Sequence, residues 1–357
     1  MKHAGRLLLI FGAVALIGAI MFGITVAAFG VVDGNYGISI GDNDILRLGG
    51  IDMGGFFTGN PGVHWYNGMT KISEEFEKNK EYKNKLQAMD GIELKDISIS
   101  LASCKAGIAC AAIDEVWVTY KTGDMKTDFS VELDDGVLTI TEKSGSWFNF
   151  GSFKSSELTL TLPERIYNSI KFELASGRIS SDVLKAENMK GEIASGTMDI
   201  NVYARNMKFE VASGKLILTN CSSQEVVREL DISAASGSVE LNGYKADKTD
   251  IDLASGSVTA NGISGGVNCD LASGHVVLNY AEWNGDLSVH LASGKTDVTL
   301  PAGSGADVSF KRASGNMKLD LDGQSASMTG NSNMTVGGSN VHKIDAETLS
   351  GSITVHN

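Results

Sequence analysis

Over its C-terminal half the chain alternates apolar and polar residues with a period of two, and the alternation is punctuated by one short word. Ile170, Phe172 and Leu174 are apolar, Ala175-Ser176-Gly177 follows, and a polar residue then restarts the alternation. Ala-Ser-Gly recurs with its glycine at Gly177, Gly196, Gly214, Gly237, Gly256, Gly274, Gly294 and Gly315, and Leu349-Ser350-Gly351 closes the series. The steps are 19, 18, 23, 19, 18, 20 and 21 residues, and the final gap of 36 is close to two steps. The second and fourth residues after each glycine are mostly apolar, as in Met198 and Ile200, Leu216 and Leu218, or Val276 and Leu278. Alternation of this kind is a strand with one buried face. A unit of about 19 residues with two short strands is too small to bury that face alone, so the copies must stack. The pattern predicts an all-β fold, a single-stranded β-helix or β-solenoid of ~19-residue rungs over residues 92–357.

Each repeat glycine is expected to supply a corner with φ > 0, with Ala and Ser small enough to pack where successive corners approach. Four residues before the glycines stands a polar column: Glu173, Glu192, Glu210, Ser233, Asp252, Asp270, His290, Lys311 and Glu347. In-register stacking makes Glu173, Glu192, Glu210, Asp252 and Asp270 an acidic ladder with a spacing of ~4.8 Å. Oxygen-rich clusters of that sort suit Ca²⁺, but a solvated acidic face offset by Arg178, Lys215 and Lys295 on the neighbouring column is the simpler expectation.

Upstream the pattern changes. Leu7 to Phe29 is 23 residues without a charge, the length of a membrane-spanning helix. Lys2 and Arg6 precede it and acidic sequence follows, so residues 1–6 are expected in the cytoplasm and the repeats outside it. Ala15, Ala19, Gly23 and Ala27 stand four apart, either as a small-residue ridge for helix self-association or as a chance run. Residues 30–91 read as a membrane-proximal linker containing one soluble helix over 69–88, with acids early, lysines late and Gly91 as the stop. Ile97, Ile99 and Leu101 then precede Ala102-Ser103-Cys104 in the phase of the repeats, so the first rung is expected there. Pro163 and Pro301 each lie 14 residues before a repeat glycine and mark one kind of corner. Ser352 to Val355 ends the chain in phase with little left to cover it. That bare edge would pair with a second copy or another envelope protein, or be covered by the Gln324 to Asn340 segment.

The run Leu162-Pro163, then Ser169 to Gly177, then the spaced Ser-Gly turns ending in Ser350-Gly351-Ser352-Ile353, resembles the bacterial putative-adhesin family of β-strand-repeat domains. The resemblance covers roughly Ile92 to Asn357 and implies the repeat fold and an adhesin-like surface role. A formal charge of −13 argues against nucleic acid as a partner. The four cysteines lack zinc spacing: Cys269 falls on an inward column, and Cys104 and Cys110 are expected reduced. No hydrolase, zincin or phosphate-loop motif is present, so no catalytic residue, cofactor or metal ligand is assigned. Two function classes remain. One is a membrane-anchored, non-enzymatic surface or scaffold module meeting envelope polymer, protein or its own copy. The other is a carbohydrate-active β-helix enzyme using clustered carboxylates.

Overall fold

The computed structural model describes residues 47–48, 51–52, 72–76, 81–86, 94–121, 128–143, 156–222, 225–328, 330–338 and 340–357, and every element among them is a strand. The cytoplasmic tail and the membrane span expected over 7–29 lie outside the described residues. No helix among the described residues is long and apolar enough to cross a membrane.

Within the segment read as a soluble helix over 69–88, the chain instead forms two antiparallel strands, Ile72–Phe76 and Glu81–Leu86, and the second pairs with Val116–Lys121. Acids early and lysines late favour a helix dipole, but the same order sets Glu74 opposite Lys83 across a hairpin. The edge of Val116–Lys121 offers backbone partners that a helix could not use, and that decides the outcome.

The repeats stack in parallel register as two columns joined at the Ala-Ser-Gly corners. The column before the corner runs through Ile166–Leu174, the second halves of Arg178–Ile193 and Thr197–Val211, Val227–Ala234, Lys245–Leu253, the second half of Ser257–Leu271, and Leu287–Leu291. The column after it starts from Arg178 and continues through Thr197, Lys215, Ser238, Ser257, His275 and Lys295. Alternate side chains point inward and form one continuous apolar core. One inward row reads Ile99, Phe172, Gly191, Phe209, Ile232, Ile251, Cys269, Val289. Gly191 is required there, because a Cβ would enter the ring of Phe209.

At both ends the spatial order departs from the order of the chain. Asp96–Leu101 and Lys105–Ala111 are not the first rung: they lie between Val137–Lys143 with Glu157–Pro163 on one side and the Ile166 to Ser181 rung on the other. At the far end Asn340–Thr348 and Ser352–His356 insert between the Leu287 to Thr299 rung and the rung made by Ser304–Arg312 and Asn316–Leu321. The final 36-residue gap is therefore not two rungs. The chain lays down Gln324–Met328 and Ser332–Val336 as antiparallel caps on the last rung, then returns to fill the slot behind it.

Pro163 and Pro301 stand where the chain steps across an interleaved rung. Beside each, a backbone N–H is donated to the rung being passed, from Glu164 to the Ala111 carbonyl and from Leu300 to the His356 carbonyl. The bare C-terminal edge expected from the sequence does not exist, since Ser352–His356 is paired on both sides. The Gln324 to Asn340 segment does supply a cover, but over the Ser304 to Leu321 rung.

Candidate binding faces

The corners form a hydrogen-bonded spine. At the Ala-Ser-Gly corners the alanine, the serine and the residue after the glycine donate N–H groups to carbonyls of the neighbouring corner, as in Ala194 to Leu174, Ser195 to Ala175 and Thr197 to Gly177. Each serine hydroxyl adds a second bond to the same row, with Ser176 Oγ 2.9 Å from the Ala102 carbonyl and Ser195 Oγ 3.1 Å from that of Ala175. Ser213, Ser236, Ser255, Ser273, Ser293 and Ser350 repeat it. The invariant Ser-Gly word is thus a structural device. A shallow groove of about 580 Å³ follows it past Gly196, Gly214, Gly237 and Gly256, between the serines and Lys215.

Glycine is needed at the corners for closeness, not for handedness. Of the nine repeat glycines only Gly177 has positive φ, at 90°. At Gly196, Gly214, Gly237, Gly256, Gly274, Gly294, Gly315 and Gly351 an added Cβ would instead strike the carbonyl oxygen of the adjacent corner glycine, 2.8 Å away at both Gly196 and Gly237. The expectation of φ > 0 corners is corrected accordingly: the restriction comes from backbone stacked on backbone.

All corner bonds point the same way, so the spine has unpaired N–H groups at one end and unpaired carbonyls at the other. Both ends are met by a charged side chain. Glu142, which follows Thr141 in the first rung and is 5% exposed, turns its Oε2 to the N–H groups of Ala102, Ser103 and Cys104 at 2.8, 2.8 and 3.0 Å. Arg312 Nη1 donates to the carbonyls of Gly315 at 2.7 Å and Ser314 at 3.4 Å at the opposite end. Anion at the N–H end and cation at the C=O end is the arrangement that stabilises a helix, transferred to a stack of corners. Neither residue stands out in the sequence, because each occupies one end only and repeats nowhere.

The acidic column is in register across Glu173, Glu192, Glu210, Ser233, Asp252, Asp270 and His290. Beyond His290 the interleaved rung puts Glu347 before Lys311, the reverse of their order in the chain. The compensating charges are not those expected. Arg178, Lys215 and Lys295 pair with Asp199, Glu240 and Asp297 on the other column. The acids pair with lysines two residues back on their own strands, Lys171 with Glu173, Lys190 with Glu192 at 2.7 Å and Lys208 with Glu210 at 3.5 Å. Lys-x-Glu with its glutamate four residues before a repeat glycine, as at Glu173, Glu192 and Glu210, is the sequence signal for this.

Past Ser233 that pairing lapses. Asp231, Asp250, Asp252 and Asp270 crowd one outer patch, with Lys248 bound to Asp250 and His290 Nδ1 2.8 Å from Asp270 Oδ1. Partial burial, reinforced by Asp270, Asp231 and Asp250, pushes the Asp252 carboxyl up to about 6. Among the described residues no group of three or more His, Cys, Asp or Glu side chains is arranged to hold a metal ion. The four cysteines are free, and Cys269 packs between Ile251 and Val289. Cys104 immediately precedes the extended strand Lys105–Ala111 and Cys110 lies near its end, about 20 Å away and beyond disulfide reach.

No curated protein matches the chain. Solved structures similar to the chain include the following three. A putative cell adhesion protein from Clostridium sporogenes is 14% identical, with 78% of this chain and 99% of that one covered and a TM-score of 0.22. A putative lipid binding protein from Parabacteroides distasonis is 15% identical, with 78% and 97% covered and a TM-score of 0.48. A putative adhesin from Bacteroides fragilis is 11% identical, with 77% and 97% covered and a TM-score of 0.35. The model of one family, Toastrack DUF4097, matches residues 94–356, from the interleaved strand Asp96–Leu101 to the last strand, and the chain belongs to that family.

Proposed function

We propose that this chain is a non-enzymatic binding and scaffolding module of the bacterial cell envelope, held by the apolar segment 7–29 with its β-solenoid on the extracytoplasmic side. The observation that carries the reading is the outer face of the first column. There the Lys-x-Glu pairs repeat on three successive rungs at ~4.8 Å, giving a regular charged strip suited to a repeating partner. The partner is envelope polymer or protein. Capture of envelope components by the anchored protein, compared with a Lys171→Glu, Lys190→Glu, Lys208→Glu variant, tests the assignment. Loss of captured material in the variant supports the face, and identical capture removes it.

One observation favours the second reading, a carbohydrate-active enzyme. Asp252, with its carboxyl near 6, stands one rung from Asp270, and carboxyl groups about 5 Å apart are what retaining glycosidases use. Glycan depolymerisation assays with and without Ca²⁺ separate the two. New reducing ends that vanish in Asp252→Asn would establish the enzyme, and none are expected.

A further inference from the structure

The two ends of the stack differ in charge. The outermost strands at the N-terminal end, Ile72–Phe76 and Asp128–Asp134, carry Glu74, Glu75, Asp128, Glu132 and Asp134. The outermost strands at the other end, Gln324–Met328 and Ser332–Val336, carry no charge, and no Asp, Glu, Lys, Arg or His occurs from Gly323 to Val341. Among the described residues each of these caps is hydrogen-bonded to one neighbour only, Asn316–Leu321 and Ser304–Arg312 respectively. Among the described residues no strand pairs with their other edges, which present a row of backbone donors and acceptors. Natural edge strands are normally blunted by charge, proline or a bulge, as the acidic end is here and this end is not.

We propose that this uncharged end is a self-association surface, on which a second copy of this chain adds its own cap strands edge to edge in an antiparallel, two-fold arrangement. Charge selects that occupant. In a chain of net charge −13 it is the end at which two copies meet without facing like charges, whereas joining acidic end to acidic end sets carboxylates against one another. A two-fold contact also closes on itself and yields a dimer, not a filament.

The hairpin geometry identifies the backbone groups involved. Leu321 and Gln324 close a two-residue turn in which Asp322 and Gly323 both have positive φ, 48° and 76°, so the Leu321–Gln324 pair is hydrogen-bonded. Alternation along an antiparallel ladder then bonds Ala326 and Met328 inward and leaves the N–H groups of Ser325 and Ser327 facing the open edge. Both serine side chains are exposed as well.

The test is sedimentation equilibrium of the full-length chain in a non-ionic detergent that disperses residues 7–29. A concentration-dependent monomer–dimer equilibrium is expected. Ser325→Pro with Ser327→Pro removes the two outward donors and no inward one, and should weaken dimerisation at least about tenfold while leaving the melting temperature nearly unchanged. Ser325→Glu with Ser327→Glu, which keeps every backbone donor, should weaken it through charge instead. Amide exchange at Ser325 and Ser327 should slow as protein concentration rises. A wild type that is monomeric at about 1 mM overturns the proposal, since specific dimers bind more tightly than that. Association that survives both double variants, or that grows into open filaments, overturns it too, by placing the contact elsewhere.

Discussion

Replacing Glu142 by alanine should destabilise the stack out of proportion to the loss of one side chain. The carboxylate accepts from three successive backbone N–H groups, those of Ala102, Ser103 and Cys104, at 2.8 to 3.0 Å. Elsewhere in the spine such groups find the carbonyls of a neighbouring corner, but here no described Ala-Ser-Gly corner precedes them. Ser103 is exposed, so water can replace its bond cheaply, whereas Cys104 is fully buried and its N–H would be left without a partner. An unsatisfied buried donor costs about 1–3 kcal/mol, and the other charged bonds add to it, so Glu142→Ala should lose about 2–4 kcal/mol. For a domain of this size that is a fall of roughly 5–15 °C in melting temperature. Glu142→Gln keeps one acceptor oxygen without the charge and should lose about half as much. Thermal unfolding of the two variants beside Glu187→Ala, an exposed glutamate 3.6 Å from Arg205, is the measurement. A Glu142→Ala shift no larger than that of Glu187→Ala, about 0.5 kcal/mol at most, would refute the idea that the spine needs an anionic end.

Four further outcomes follow from the same geometry. Gly256→Ala should cost several kcal/mol, because its Cβ meets the Gly237 carbonyl. Gly303→Ala should cost only about 1 kcal/mol, since it has positive φ but open space, and similar melting shifts for the two would show that the corners are not backbone-on-backbone contacts. Thr354→Pro should destabilise the fold by about 3 kcal/mol or more, because its strand is interior, and a variant that melts like wild type would contradict the interleaving. Thr296→Val should stabilise by about 1 kcal/mol, as the Thr296 hydroxyl is buried without a partner between Val276 and Ile353; a loss in denaturant unfolding would indicate a bond to water there. Asp252 has a folded-state pKa raised to about 6, so its contribution is fully favourable below about pH 4 and is lost as pH rises through 6; after allowance for its partial exposure, Asp252→Asn should gain about 1 kcal/mol at pH 7.5 and nothing at pH 4, and a pH-independent gain would disprove that origin.

The repeat was legible in the sequence because it is a local, periodic property. Side chains alternate across a strand, so Ile170, Phe172 and Leu174 declare a buried face wherever they sit. A word as short as Ala-Ser-Gly marks the corner because only small residues tolerate backbone stacked on backbone. The register of the acidic column and the inward placement of Cys269 came from the same arithmetic. The strands at 72–86 did not, since a charge pattern compatible with both helix and hairpin is decided by an edge supplied 30 residues later. Nor did the order of the rungs. A rung presents the same apolar face and the same backbone ladder to either neighbour, so period and phase cannot say which rung lies beside which. Pro163 and Pro301 shared a phase in the sequence, but only the tertiary structure shows what the phase means: at each the chain crosses an interleaved rung, at one end passing a rung already laid down and at the other leaving a slot for its own last strands. The end caps Glu142 and Arg312 were invisible for a related reason, because the groups they satisfy exist only once the corners have stacked and the stack has stopped.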